Sequence, residues 1–266
     1  MNWEMVDWTI LGPAIAAGLL VLSTHVPLGA EVLKRGIIFI DLAIAQVAGM
    51  GVLAAASFGW EDQPLAVQAS AVTAALIAAA TMNWTERRWP RSQEPLIGIL
   101  FVLAATGSIL LLAQNPHAGE YLKDLLVGQI LWSTWRMLLP IAVLYGILLA
   151  VWFTMHQRIR HIGFYVIFAF AVTASVQLVG VYLVFTSLII PALATRRLQG
   201  AKRVYAGYAV GAISYVVGIV LSAMLDLPTG AVTVWTMAVI GTAAGFWIGH
   251  ATAEGPAVAV AEAVGD

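Results

Sequence analysis

Asp41 is the one acidic side chain that falls clearly inside a long apolar stretch of this sequence. An ionised group held at the centre of a bilayer costs at least ~2.5 kcal/mol, so a carboxylate retained there is a candidate for chemistry. His25 lies about as far before the end of the preceding apolar stretch as Asp41 lies beyond the Lys34-Arg35-Gly36 break. If those two stretches form a helical hairpin, the pair come to similar depths, and a carboxylate oxygen with an imidazole nitrogen suits Mn²⁺ or Zn²⁺. The competing reading has Asp41 reaching the interface to pair with Arg35, and His25 packed at a helix end beside Pro27. Gln46 adds an amide that could bond a neighbouring helix or join a metal site. Five residues from Asp41, it stands about 140° round a helix, so the two share a face only with local distortion.

Other polar groups carry less. His117, Glu120 and Asp124 have metal-compatible side chains but sit where a loop is expected, and His156 and His161 flank Arg158 and Arg160 in a basic break. Gln177 is read as helix-to-helix glue. The phosphate-cradling Gly-x-x-x-x-Gly-Lys-Ser/Thr loop, the His-Glu-x-x-His pair and the Gly-x-Ser-x-Gly elbow are all missing from the sequence, so nucleotide hydrolysis, zinc proteolysis and serine hydrolysis have no visible machinery.

The elements that must hold these residues follow from composition. Hydrophobic residues make up 61% of the 266 and charged residues 10%, with a mean hydropathy of +0.90. That leaves too little polar surface for a water-soluble globule. Eleven of the 13 Lys and Arg fall in four breaks, at 29 to 36, 85 to 95, 155 to 161 and 196 to 203. Such loops stay cytoplasmic. The intervening breaks carry Glu61-Asp62, His117 to Asp124 and Asp226, and are expected outside. A net charge of −1 gives no nucleic-acid footprint. The absence of cysteine removes disulfides and thiolate metal sites. The opening residues carry two acids and no base, so a cleaved signal is not expected and the first span is expected to stay.

Only helices or closed barrels satisfy the backbone in lipid, and about 20 helical residues cross it. Spans are expected near 10 to 28, 37 to 58, 65 to 84, 96 to 114, 136 to 154, 204 to 224 and 231 to 249. The stretch from Gly163 to Thr195 is long for one span and short for two, and is expected to turn back around Gln177 to Gly180. The fold class is therefore all-α, a polytopic bundle of eight to nine spans with the N-terminus outside and the C-terminus inside. Residues 118 to 135 read as an interfacial or re-entrant element on the outer side, with Trp132 and Trp135 at headgroup depth. Gly49 and Gly51, Gly207 to Gly211 and Gly241 to Gly245 suit close helix packing. Residues 1–250 form one domain in this reading, and 251–266, with Gly255-Pro256, a disordered cytoplasmic tail.

Three segments, in order along the chain, resemble the integral-membrane permeases of bacterial ABC importers for Zn²⁺, Mn²⁺ and Fe²⁺, the ABC-3 family. They are Val32 to Gln46, a basic turn followed by a helix with an early Asp; Leu178 to Ala192, with Gly180 and Pro191 at the family spacing; and Asp226 to Gly230, the turn before the last helix. The family's early helix carries Asp and, four residues on, His, both associated with the metal path. Here Asp41 matches and position 45 is Ala, with Gln46 the nearest polar residue. The loop from Met155 to His161 also lacks the family's acidic Asp-Pro-x-x-Ala stretch, which turns attention to Arg87 to Glu94 or Arg196 to Arg203 for coupling. The resemblance implies a type II importer-like permease of the bacterial inner membrane that works as a homodimer. It implies a cytoplasmic ATPase subunit, an extracytoplasmic metal-binding protein, and Zn²⁺, Mn²⁺ or Fe²⁺ as transported substrate. An ATP-independent secondary transporter or channel would share the same hydropathy and one buried acid.

Overall fold

A chain that must satisfy its own backbone hydrogen bonds in lipid has helices as its economical solution. The described residues hold ten of them and no strand: α1 (Trp8–Arg35), α2 (Ile40–Ser57), α3 (Pro64–Arg88), α4 (Gln93–Leu111), α5 (Ala118–Val127), α6 (Trp135–Met155), α7 (Ile162–Val179), α8 (Val181–Ala194), α9 (Gly200–Leu225) and α10 (Thr229–Ala263). The structure, a computed structural model, describes residues 8–60, 62–113, 118–155 and 162–263, with 118–121, 155 and 252–263 as backbone only. Glu61, His117, His156, Arg158, Arg160 and His161 lie outside the described residues, as does the Glu120 side chain. All of these helices except α5 and α8 are long and apolar enough to cross a membrane, eight in number.

The ambiguous stretch resolves as expected. It breaks at Gly180, whose φ of 79° and ψ of 163° only glycine adopts readily. α7 is a full span, while α8 has 14 residues and rises about 21 Å. α5 and a 3-10 turn at Ile130–Trp132 occupy the 118 to 135 region without crossing, and Trp132 and Trp135 are exposed.

α7 and α2 lie deepest, with 72% and 67% of their span windows buried, whereas α4 has 17% and α10 22%. α2 packs on α3 and α4, α3 on α7, α1 on α8 and α9, and α10 on α8 and α9. Small residues set these approaches, since lipid provides no hydrophobic drive for helices to associate. A Cβ added at Gly29 of α1 would lie 2.1 Å from the Leu188 carbonyl oxygen of α8. Gly207 and Gly211 of α9 likewise meet Val26 and Leu22 of α1, and Gly241 of α10 meets Ile190 of α8.

The hairpin of the first two spans is not a packed pair. α1 and α2 are joined by the turn at Gly36, φ +70°, yet they do not pack along each other, and their partners are different helices.

The two ends of the bundle sort by charge. At one end Arg35 donates to Glu31 at 2.9 Å, lies 3.9 Å from Glu86, and covers the Phe164 ring at 4.3 Å. The Ile38 N–H donates to Glu94 Oε1 at 2.6 Å, and Arg197 Nη1 donates to the Gly249 carbonyl at 3.0 Å. These contacts collect the described basic breaks on one face. At the other end Gly128 abuts Val179 and Gly180, and Gly230 abuts the Val127 carbonyl. Gln93, expected in a loop, is buried: its amide donates to the Met82 carbonyl at 3.1 Å and its oxygen accepts from Thr85 at 3.0 Å.

Candidate translocation site

Gly36 reverses the chain after α1, and α2 begins four residues later, which puts Asp41 in its first turn. A carboxylate near a helix N-terminus faces unsatisfied N–H groups and the positive end of the dipole. That accounts for an acid at this position but not for its isolation. Asp41 has no exposed surface, and neither carboxylate oxygen has a hydrogen-bond partner. The expected alternative, a pairing with Arg35, is not what the structure places there, because Arg35 engages Glu31 and Glu86.

His25 is equally buried, on α1 between Thr24 and Val26. Its Nδ1 lies 2.9 Å from the Val21 carbonyl and 3.1 Å from Thr24 Oγ1, and its Nε2 has no partner. A carbonyl can only accept, so Nδ1 carries the proton and Nε2 keeps a lone pair. Fixing one ring nitrogen on a backbone carbonyl is how a histidine is oriented to ligate through the other. α1 and α2 do not pack along each other, and no hydrogen bond joins this imidazole to Asp41. Among the described residues no group of three or more His, Asp or Glu side chains is gathered for a metal.

Gln46 is buried and lines a cavity of about 460 Å³ together with Leu42, Phe101, Tyr182, Phe185 and Thr186. That cavity opens between α2, α4, α5 and α8. The Gln46 amide and the side chains of Thr186 and Tyr182 are the polar groups in its lining, and Leu42 is the next residue after Asp41. A second cavity of about 360 Å³ lies between α2, α3, α5 and α7, with Asp124, Gln129, Ser133, Thr173 and Gln177 in its lining. Sequence reading singled out Asp124 and Gln177 but missed Ser133 and Thr173, because hydroxyl residues in apolar helices are common and usually bond their own carbonyls. Thr173 does not, for its Oγ1 is buried without a partner.

Eight helices long and apolar enough to cross a membrane, with polar-lined cavities between them, have the architecture of a polytopic membrane protein. The sequence profile of the ABC 3 transport family matches residues 7–165 and 153–247, and the chain belongs to that family. It is thus the permease subunit of an ABC transporter, a multi-pass protein of the bacterial inner membrane. The bundle is similar to PsaBC from Streptococcus pneumoniae solved in complex with Fab, at 19% identity over 92% of this chain and 95% of that one, with a TM-score of 0.72. It is also similar to an inward-facing structure described as a metal-chelate type ABC transporter, at 19% identity over 90% and 86%, with a TM-score of 0.65. No curated protein matches the chain. At these identities the likeness concerns the fold.

Proposed function

We propose that this permease forms, as a homodimer, the pore of an ATP-driven importer of divalent transition metal ions, Zn²⁺, Mn²⁺ or Fe²⁺. The observation that carries the reading is Asp41, a fully buried carboxylate with no partner on either oxygen. An unpaired buried charge is strongly unfavourable, and a passing cation relieves it. One carboxylate is not a coordination shell, so the remaining donors come from Gln46, His25, water or the second copy. A separate ATPase subunit docks on the basic face, and an extracytoplasmic metal-binding protein on the other. The two structural relatives, described as PsaBC and as a metal-chelate type transporter, support this assignment.

Asp41→Asn keeps the size of the side chain and removes its charge. It is expected to abolish uptake of radiolabelled metal by the permease reconstituted with its ATPase, with membrane insertion unchanged. Native transport rates in this variant would sink the site. Uptake driven by a proton gradient in ATP-depleted vesicles would favour a secondary transporter instead. The orientation is tested on the cysteine-free chain with single thiols at the exposed Arg91 and Gln199. Both should react with an impermeant maleimide only from the cytoplasmic side, and reaction of either in intact cells would invert the assignment.

A further inference from the structure

The turn between α1 and α2 is held from a distance. Within it, Gly36 N–H bonds Leu33 O at 3.3 Å, Ile37 N–H bonds Val32 O at 3.4 Å and Ile40 N–H bonds Ile37 O at 3.2 Å. The Ile38 N–H points elsewhere, to Glu94 Oε1 at 2.6 Å, across 56 residues of sequence. Glu94 lies in the first turn of α4, and its second oxygen, Oε2, is buried with no hydrogen-bond partner. Its carboxylate is therefore committed to a single backbone group three residues before Asp41. At 2.6 Å the acceptor oxygen sits at the short end of the hydrogen-bond range and holds the N–H closely.

The neighbouring tie follows the same plan. Arg35, immediately before the turn, meets Glu86 of α3. Glu86 and Glu94 bracket the segment 87–93, in which Arg87 to Ser92 are all exposed and three are basic. The segment is consequently fastened at both ends to the turn that starts the Asp41 helix. Gln93 anchors it from within by its bonds to Thr85 and Met82. A displacement of this segment cannot leave the turn behind while both ties hold.

The geometry points to Glu94 as the positioning residue for Asp41: its bond to Ile38 N–H makes the Asp41 turn follow the exposed basic segment 87–92, so a partner docked there moves the carboxylate. This rests on the reading that Asp41 contacts the transported cation. Glu94 does not itself touch the ion. What the position requires is an acceptor oxygen at the reach of a Glu side chain, not a negative charge.

The test compares Glu94→Ala, Glu94→Gln and Glu94→Asp in the full permease reconstituted with its ATPase subunit. Two readouts are taken: the Mn²⁺ concentration giving half-maximal uptake, and the maleimide labelling rate of Leu42→Cys without metal. Leu42 adjoins Asp41 and lines the Gln46 cavity. Glu94→Ala is expected to raise the half-maximal concentration roughly tenfold, equivalent to about 1.4 kcal/mol, and to alter labelling at position 42. Glu94→Gln, which keeps an acceptor oxygen at the same reach, should retain native values in both. Glu94→Asp falls one methylene short and should resemble the alanine variant, and it carries the comparison if Glu94→Ala fails to fold. A Gln variant as impaired as Ala, or unchanged labelling at position 42 in both the Ala and Asp variants, overturns the proposal. Normal transport by Asp41→Asn would remove the cation contact alone, since the labelling readout decides the role of Glu94 without any metal.

Discussion

The two ends of this bundle are fastened by different means. At the basic end the joints are side chains that reach: Arg35 to Glu31 and Glu86, Glu94 to the Ile38 N–H, Arg197 to the Gly249 carbonyl. At the opposite end the joints are backbones in direct contact, with Gly128 against Gly180 and Gly230 against the Val127 carbonyl. A reaching side chain can lose its partner, find water and return, at a net cost of about 0.5–3 kcal/mol. Two backbones in van der Waals contact have no such slack. Adjustability is concentrated at the basic end, and the other end fixes how the helix turns sit against one another.

The strongest challenge to that contrast is Gly180→Ala. Its added Cβ would lie 2.3 Å from the Gly128 nitrogen, and its backbone occupies a region that costs other residues about 1–3 kcal/mol before any overlap. Loss of monodisperse protein, or a large drop in melting temperature in detergent, is expected. A native-like melt would mean the glycine joint is not what holds that end. Gly36→Ala sharpens the point, since Gly36 also has positive φ, +70°, but nothing within 4 Å of an added Cβ. Only the left-handed cost of roughly 1–2 kcal/mol applies. Its melting temperature should fall less than that of Gly180→Ala, and an equal fall would show that contact contributes nothing. The smallest effect is assigned to Glu86→Gln at the basic end. A half-buried ion pair as long as 3.9 Å contributes roughly 1 kcal/mol and is still partly screened by salt. The difference in melting temperature from native protein should therefore shrink between low and high salt, and a salt-independent loss would assign Glu86 a different role.

The spans were legible because lipid imposes one rule on every crossing segment, and the clustered bases mark its ends. The reversal near Gly180 was legible for a related reason, as the stretch from Gly163 to Thr195 fits no whole number of spans. Helix ends were less so. α1 continues through Glu31, Lys34 and Arg35 to Arg35 itself, and α3 through Arg87 to Arg88, because hydropathy ends where the apolar core ends and a helix need not. Partner choice was not legible at all. The hairpin of the first two spans looked natural from their adjacency, yet α1 packs on α8 and α9, where glycines permit close approach. Asp41 was found by the cost of burying a charge. Glu94 was not, since an acid beside a basic break looks like a solvated loop residue until Ile38 is seen against it.

That α1 packs on α8 and α9, and not on α2, also bears on how the chain is made. α1 ends at Arg35 and its first broad partner starts at Val181. At about 5–20 residues per second of synthesis, that partner reaches the membrane roughly 7–30 seconds later. Through that interval the face of α1 bearing Leu22, Val26 and Gly29 lacks the α8 and α9 residues that cover it in the finished bundle. α1 is thus made well before the helices that enclose it, and a chain cut short before α8 would leave that close-packing face open to other helices or to the quality-control proteases of the membrane.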